Sequence, residues 1–367
     1  MATIVVTASS LRISGGLTIL RQFVSNLPLS DDKYYIFVDP GHTCVPQDNI
    51  EYIPVATRSQ WARLKFDFCG FAKELKRRAI RPDLIISLQN NGLRFDKRVP
   101  QIVYFHQPIP LHAKRWNLFK ASERKMSVYK NIYSWVIRFF DNPNIHYIAQ
   151  IPSIKKGIQQ KFGVSAQRIH IITPHLPDTP SLQNYSEQQA GSDKKIFLYP
   201  ATPIPYKNHS LLIKALSVLF RKNPELKNEV ELVFTFRQEE FPEAIRLAEK
   251  LGVRNNITAD GPVPFDNLQL LYRNALALLF PSYIESFGLP LFEAAAAGLP
   301  ILAADTDYAH DVVGKYEGTS FLNYRDPDSW ADKILEIIRA PIRFQPYHPT
   351  ETTGWKDFFA LVGHLKK

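Results

Sequence analysis

The chain of 367 residues is longer than one compact core needs and fits two domains of ordinary size, and its hydrophobic and charged fractions of 45% and 22% exclude a disordered or fibrous chain. It has no apolar run long enough to cross a bilayer, and its two cysteines, Cys44 and Cys69, exclude a disulfide framework and a cysteine metal site. The net charge of +10 asks for an anionic partner, whether a phosphate-bearing substrate, an acidic lipid surface or nucleic acid.

In chain order, Met1 to Thr7 has no basic region ahead of its short apolar stretch and reads as a first strand rather than a secretion signal, so a cytoplasmic setting is expected. Strands are predicted at 4–6, 35–38, 84–87, 102–105, 145–149 and 169–172. Between them, helices are predicted over 16–26, 60–79, a basic stretch 112–140, and 152–162, the last stopping at Gly163. From 174 to 195 the periodicity lapses into Pro, Ser, Asp and Gln, which marks an interdomain linker. A second series follows, with strands at 196–199, 231–234, 256–259, 277–280, 300–303 and 320–322 and helices between them, including 211–220 and 290–297. The fold expected is α/β: two Rossmann-like, doubly wound domains facing a cleft, over 1–175 and 176–345. The remaining 346–367 carries a helix from about 352 to 365, expected to cross back and brace the first domain.

The densest chemistry lies between Phe280 and Pro300, where a strand ends and a helix opens near Pro290. Proline is tolerated there because the first helical N–H groups lack intrahelical partners. The free N–H groups of Ser286, Phe287, Gly288 and Leu289 make an anion site, with Gly288 allowing close approach, and a diphosphate is the expected occupant. Glu285 and Glu293 flank it; a carboxylate repels phosphate, so each is expected to accept hydrogen bonds from sugar hydroxyls, Glu293 from a ribose and Glu285 from a transferred sugar.

The segment 281–311 resembles the signature of the retaining family 4 glycosyltransferases of GT-B fold: Pro281-Ser282, Glu285, Phe287-Gly288, and a second glutamate, Glu293, eight positions after the first. The likeness extends to Lys207-Asn208-His209, to Asp260-Gly261 and to Gly15-Gly16, and in weaker form to nearly all of 1–340. It implies that Glu293 holds the nucleotide ribose, Glu285 the donor-sugar hydroxyls, and Lys207 the diphosphate charge. Gly15, Gly16 and Gly261 would lie in donor-binding loops, and His106, after a first-domain strand, would touch the donor sugar. One position departs from the pattern: Thr202 stands five residues before Lys207, where an arginine is usual. Arg237, after the strand 231–234, is the expected substitute cation.

The activity implied is retaining transfer of a hexose from a nucleoside-diphosphate sugar, such as GDP-mannose, to a glycan or lipid-linked glycan in polysaccharide or lipopolysaccharide assembly. The resemblance also implies that no cofactor or metal is needed, and Asp305-Thr306-Asp307, which imitates a metal-binding pair, is read as the start of a turn. No protein base is assigned, since the departing phosphate oxygen can take the acceptor proton. A sugar-nucleotide-binding homologue or epimerase without transfer is the alternative that Thr202 keeps open. Nucleic-acid binding has only the charge in its favour, with no recognised module, and is not expected. The stretch 112–140 interleaves lysine and arginine with tryptophan, tyrosine and phenylalanine, a pattern that fits either a long helix packed on its own domain or peripheral association with the cytoplasmic face of an anionic membrane.

Overall fold

The computed structural model describes residues 1–11, 14–42, 45–57, 59–174, 194–348 and 353–366, with the side chains at 14, 15, 121, 122, 265 and 266 outside that description. Cys44 and nearly all of the expected linker lie outside the described residues. The chain divides into two units, one comprising Met1–His175 and Glu351–Lys367, the other Leu176–Thr350.

The first unit is built on strands β1 (Thr3–Thr7), β2 (Lys33–Val38), β3 (Ile50–Pro54), β4 (Leu84–Ser87), β5 (Gln101–Phe105), β6 (Ile145–Ala149) and β7 (Ile169–Ile171). They form one parallel sheet in the order β3-β2-β1-β4-β5-β6-β7. The central strands β4 and β5 are buried throughout, as a parallel sheet covered on both faces requires. The sequence reading missed β3, an edge strand that ends on a proline and buries little, so it carries neither strong alternation nor an apolar run.

Helix α1 (Ser14–Ser25) follows β1. The single helix expected over 60–79 is three pieces: α2 (Gln60–Lys65), a π turn at Phe66–Gly70, and α3 (Phe71–Arg77). In the π turn the Phe71 N–H donates to the Phe66 carbonyl, five residues back, and the extra residue lets both rings reach the core beside Phe37. The helix expected over 112–140 is regular only as α4 (Ala121–Phe140). The carbonyls of His112, Ala113 and Lys114 accept from the Lys130 ammonium at 2.6, 3.1 and 2.5 Å, so they are engaged by a side chain instead of by helical amides. Helix α5 (Pro152–Phe162) ends at Gly163 in the left-handed conformation.

The second unit has β8 (Lys195–Tyr199), α6 (His209–Lys222), β9 (Val230–Phe234), α7 (Pro242–Lys250), β10 (Ile257–Ala259), α8 (Phe265–Asn274), β11 (Ala277–Phe280), α9 (Leu289–Ala296), β12 (Ile301–Ala304), α10 (Asp307–Val313), β13 (Thr319–Leu322) and α11 (Pro327–Arg339). Its parallel sheet runs β10-β9-β8-β11-β12-β13. Both sheets reverse their winding direction once, between β1 and β4 and between β8 and β11, and in such folds the loops leaving the carboxyl ends at that reversal line the ligand crevice. The fold is therefore α/β with two doubly wound halves.

After α11 the chain runs along the second unit. Phe344 and Tyr347 donate to the carbonyls of Gly298 and Ala295 at 3.0 and 2.9 Å, and the Arg343 guanidinium reaches the carbonyls of Tyr272, Arg273 and Ala275 at the end of α8. The Arg343 contacts satisfy acceptors that α8 leaves open at its C-terminus. The last helix, α12 (Trp355–Leu365), belongs to the first unit. Trp355, Phe358 and Val362 join the core beside Phe23 and Tyr104, and Lys366 pairs with Asp32.

Candidate functional site

The second unit gathers most of the sequence-predicted residues at its winding reversal. After β8 the chain makes a 3-10 turn at Pro205–Lys207, then Asn208 adopts a left-handed conformation, φ 60°, and opens α6. Asparagine tolerates this backbone better than most residues with a Cβ. After β11 the loop 281–288 leads to Gly288, φ 86°, which opens α9. A residue with a Cβ would be strained there, and that Cβ would stand 3.3 Å from Leu291 Cδ1.

The two loops are stitched together. Tyr283 N–H donates to the Tyr206 carbonyl at 3.1 Å, and Asn208 Nδ2 donates to the Pro281 carbonyl at 3.4 Å and, after β13, to the Tyr324 carbonyl at 2.8 Å. Tyr199 donates its hydroxyl to the Lys207 carbonyl and Tyr308 to the Ser282 carbonyl, both at 2.6 Å. Both phenols are held far above their ordinary pKa, first by burial and then by the nearby charge of Glu285. None of these tyrosines was singled out in the sequence, because a lone aromatic after an apolar strand looks like core.

Within this frame the Lys207 ammonium meets Glu285 Oε1 at 2.5 Å, with the two side chains 16% and 12% exposed, so the pair is largely shielded but reachable. Next to it, the first peptide N–H of α9 to find a partner is that of Leu291, which donates to the Gly288 carbonyl at 2.9 Å. Among the described residues the N–H groups of Ser286, Phe287, Gly288 and Leu289 have no acceptor. A shielded cation and peptide N–H groups without an acceptor at a helix start are the elements from which an anion receptor can be made.

Glu293 lies one turn into α9 and is 9% exposed; Tyr272 from α8 donates its hydroxyl to Glu293 Oε2 at 2.7 Å. Burial raises the Glu293 pKa, and the tyrosine hydrogen bond opposes that rise. The Arg343 contact to the Tyr272 carbonyl secures the end of α8 from which this hydroxyl reaches. Leu291, Ala294 and Ala295 on the same helix are fully buried, so the small side chains let α9 sit close on β11 and β12.

Arg237 and Gly261 also come together, after the adjacent strands β9 and β10. The backbones of Arg237 and Asp260 form an isolated antiparallel β-bridge, and a Cβ on Gly261, φ 128°, would approach the arginine Cγ to 3.2 Å. The Arg237 residue is exposed, and so is Thr202 after β8, whose carbonyl accepts from Ile204 N–H at 2.8 Å. Asp305 pairs with His310 Nε2 at 2.7 Å, and Asp307 begins α10, which gives the Asp-x-Asp imitation a place at a helix start.

The first unit holds the other predicted residues. His106 follows β5; its Nε2 lies 3.1 Å from the Leu88 carbonyl, which can only accept, so Nε2 carries the proton and Nδ1 is left as an acceptor. Burial, and then the charge of Arg63, lower its pKa to about 4, so the ring is neutral at pH 7. Gly15 and Gly16 are in the first turn of α1, and a Cβ on Gly16 would lie 3.8 Å from His106 Cε1, so this glycine and the histidine are neighbours. Beside them is a buried polar group that the sequence did not single out: Arg63 donates to Asn91 Oδ1 at 2.9 Å, Asn91 donates to Asp67 Oδ2 at 3.1 Å, and Gln89 donates to Thr7 Oγ1 at 2.6 Å. Burial pushes the Asp67 carboxyl up to about 6 although Arg63 and Asn91 oppose it.

Residues 183–347 match the family described as glycosyl transferases group 1, which accounts for nearly all of the second unit. Of the curated relatives, a D-inositol 3-phosphate glycosyltransferase of Xylanimonas cellulosilytica is 30% identical over 55% of this chain and 51% of its own. An O-antigen chain mannosyltransferase, RfbU, of Salmonella typhimurium is 24% identical over 53% of this chain and 52% of its own. The chain thus spans about half the length of the curated relatives it matches. A crystal structure of the Anabaena protein HepE in complex with UDP and glucose shares the fold, with a TM-score of 0.62 at 16% identity over 93% of this chain and 90% of that one. The two doubly wound halves are those of a GT-B glycosyltransferase fold.

Proposed function

We propose, from the premise that residues 183–347 are a domain of the glycosyl transferases group 1 family, that this protein is a retaining hexosyltransferase using a nucleoside-diphosphate sugar and a glycan or lipid-linked glycan acceptor. The observation that carries the reading is the Lys207–Glu285 pair beside the free N–H groups that open α9. An ammonium has three protons to donate, so Lys207 can keep Glu285 and still bind a phosphate oxygen. In the same reading Glu285 accepts from hydroxyls of the transferred sugar, and Glu293, steadied by Tyr272, accepts from the ribose through its other oxygen. Arg237 supplies the second cation that Thr202 does not. His106, neutral and with Nδ1 accepting, is suited to a sugar hydroxyl.

The reaction breaks the bond from the sugar C1 to the diphosphate oxygen and forms one from C1 to the acceptor oxygen on the same face. The acceptor proton passes to the departing phosphate oxygen, so no protein base is required. Negative charge grows on the leaving group as the bond lengthens, and Lys207 with the 286–289 amides would stabilise that charge more in the transition state than in the ground state. Lys207 fills the role of counter-charge, so chelating agents should leave the rate unchanged. A hexosyl donor is supported by the glucose complex of the Anabaena protein and by the mannosyl transfer named for the Salmonella relative, which also supports surface-polysaccharide assembly as the setting.

Acceptor-dependent release of nucleoside diphosphate is the test, scored with GDP-mannose and UDP-glucose against a panel of glycan and lipid-linked acceptors. Release only in the presence of an acceptor, with the product anomer matching the donor, upholds the proposal. Binding of donor with no release under any acceptor favours the non-transferring homologue, the reading for which Thr202 speaks.

A further inference from the structure

We propose that the face of the first unit formed by α2 and α4 docks on an anionic lipid bilayer, a partner independent of the donor chemistry above. Trp61 on α2 and Trp135 and Phe139 on α4 are 74%, 56% and 53% exposed. Phe68, in the π turn, stacks on Trp135 at 6.1 Å between ring centres and meets Phe139 at 5.3 Å, so the rings form one continuous cluster. A shallow groove between Trp61 and Trp135 is floored by Leu64, Ile132 and Val136.

These rings are surplus to the core. The inner face of α4 is already filled by Met126, Tyr133, Val136, Ile137 and Phe140, all buried. Val128, Ile132, Trp135 and Phe139 fall three or four residues apart and so share the outer face. A contiguous exposed apolar patch on a folded chain marks an interaction surface.

Charge selects the partner. Lys65 on α2 and Arg124, Lys125 and Arg138 on α4 are exposed around the patch, and among the described residues none of the four pairs with a carboxylate. The single carboxylate of α4, Glu123, is held by Lys120 at 2.7 Å and by the Asn117 N–H at 3.0 Å, and Asp67 is buried. Tryptophan and phenylalanine over an acyl boundary, ringed by arginine and lysine at headgroup level, match an acidic membrane interface. A helix of 20 residues, about 30 Å long, can lie along such a surface, while no described helix is long and apolar enough to cross it. A transferase so docked would meet a lipid-linked acceptor in the plane of the bilayer.

The test is cosedimentation of the full chain with phosphatidylcholine vesicles containing phosphatidylglycerol, against phosphatidylcholine alone. Binding should require the acidic lipid and weaken steeply with salt. The triple variant Trp61→Ser, Trp135→Ser, Phe139→Ser should lose binding at least about 10-fold, and Lys65→Gln, Arg124→Gln, Arg138→Gln should lose it by about 10- to 100-fold. All six positions are exposed and outside the donor site, so both variants should keep wild-type thermal stabilisation by nucleoside diphosphate, which separates a failure here from a failure of the proposed function. Equal binding to neutral and acidic vesicles, wild-type binding by both variants, or a concentration-dependent dimer abolished by the aromatic variant would each overturn the proposal.

Discussion

The two winding reversals of this chain have the same strand order and opposite chemistry. In the first unit the polar side chains near the reversal between β1 and β4 engage one another: Arg63 on α2, Asp67 in the π turn, and Gln89 and Asn91 after β4 are buried and linked by hydrogen bonds. At the second, between β8 and β11, the tyrosines stitch the loops from behind, while an ion pair and a row of peptide N–H groups remain available. The first cluster is largely tied up by its own hydrogen bonds, whereas the second leaves a cation and peptide donors that, in the proposed function, a ligand would engage. The fold supplies the location; the residues grafted onto it decide whether that location binds an anion.

Breaking the second reversal should have the largest effect. Lys207→Ala removes a positive charge from the leaving-group side and leaves Glu285 shielded and unpaired, so turnover should fall by roughly 10²- to 10³-fold, read as kcat with saturating donor. Unchanged kcat would remove Lys207 from the reacting groups. Glu285→Ala should depress transfer while sparing affinity for bare nucleoside diphosphate, whereas Glu293→Ala should weaken that affinity; equal behaviour of the two would erase the distinction between ribose and sugar partners. Glu293→Ala also strands the Tyr272 hydroxyl, a cost of roughly 1–3 kcal/mol in denaturant unfolding.

The buried cluster around Asp67 in the first unit should respond to pH instead of ligand. Asp67 has its pKa raised from 3.8 to about 6 by burial, so the folded chain binds the proton more tightly than the unfolded chain. This contribution is complete below the unfolded value and is lost as pH rises from about 4 through about 6, on the order of 2–3 kcal/mol in all. Asp67→Asn should flatten that slope in denaturant titrations between pH 4 and 7; an unchanged slope would mean that Arg63 keeps the carboxylate charged. Smallest of all, Gly288→Ala should cost about 1–2 kcal/mol of stability by forcing a Cβ into a left-handed turn, and Arg237→Ala should weaken diphosphate binding by no more than about 10-fold, as an exposed cation does.

Much of the second reversal was legible because backbone constraints and chemistry fall on the same residues. A proline at the first turn and a glycine before it mark strand, turn and helix in the same stretch that carries the two glutamates eight positions apart, and the structure has α9 opening at Leu289, four residues after Glu285. What sequence could not supply is side-chain pairing across the sheet. Nothing in the spacing of Tyr272 and Glu293, or of Lys207 and Glu285, says that each pair meets, because those contacts depend on which strands become neighbours. Likewise, the break of the 60–79 helix at Phe66–Gly70 follows from two phenylalanines that both seek the core, a tertiary demand that periodicity along one helix does not carry. The start of α4 differs from the expected one for a similar reason, since Lys130, more than two turns into the helix, captures the carbonyls that an earlier start would have used.

Calorimetric titration of UDP and GDP into the wild-type chain and Lys207→Ala decides whether this ammonium grips a diphosphate. Saturable binding of at least one nucleotide by the wild type is expected, weakened at least about tenfold in the variant, with the difference disappearing for the corresponding nucleosides. Equal affinity of the two proteins for the diphosphate, or no binding of either nucleotide, would contradict it.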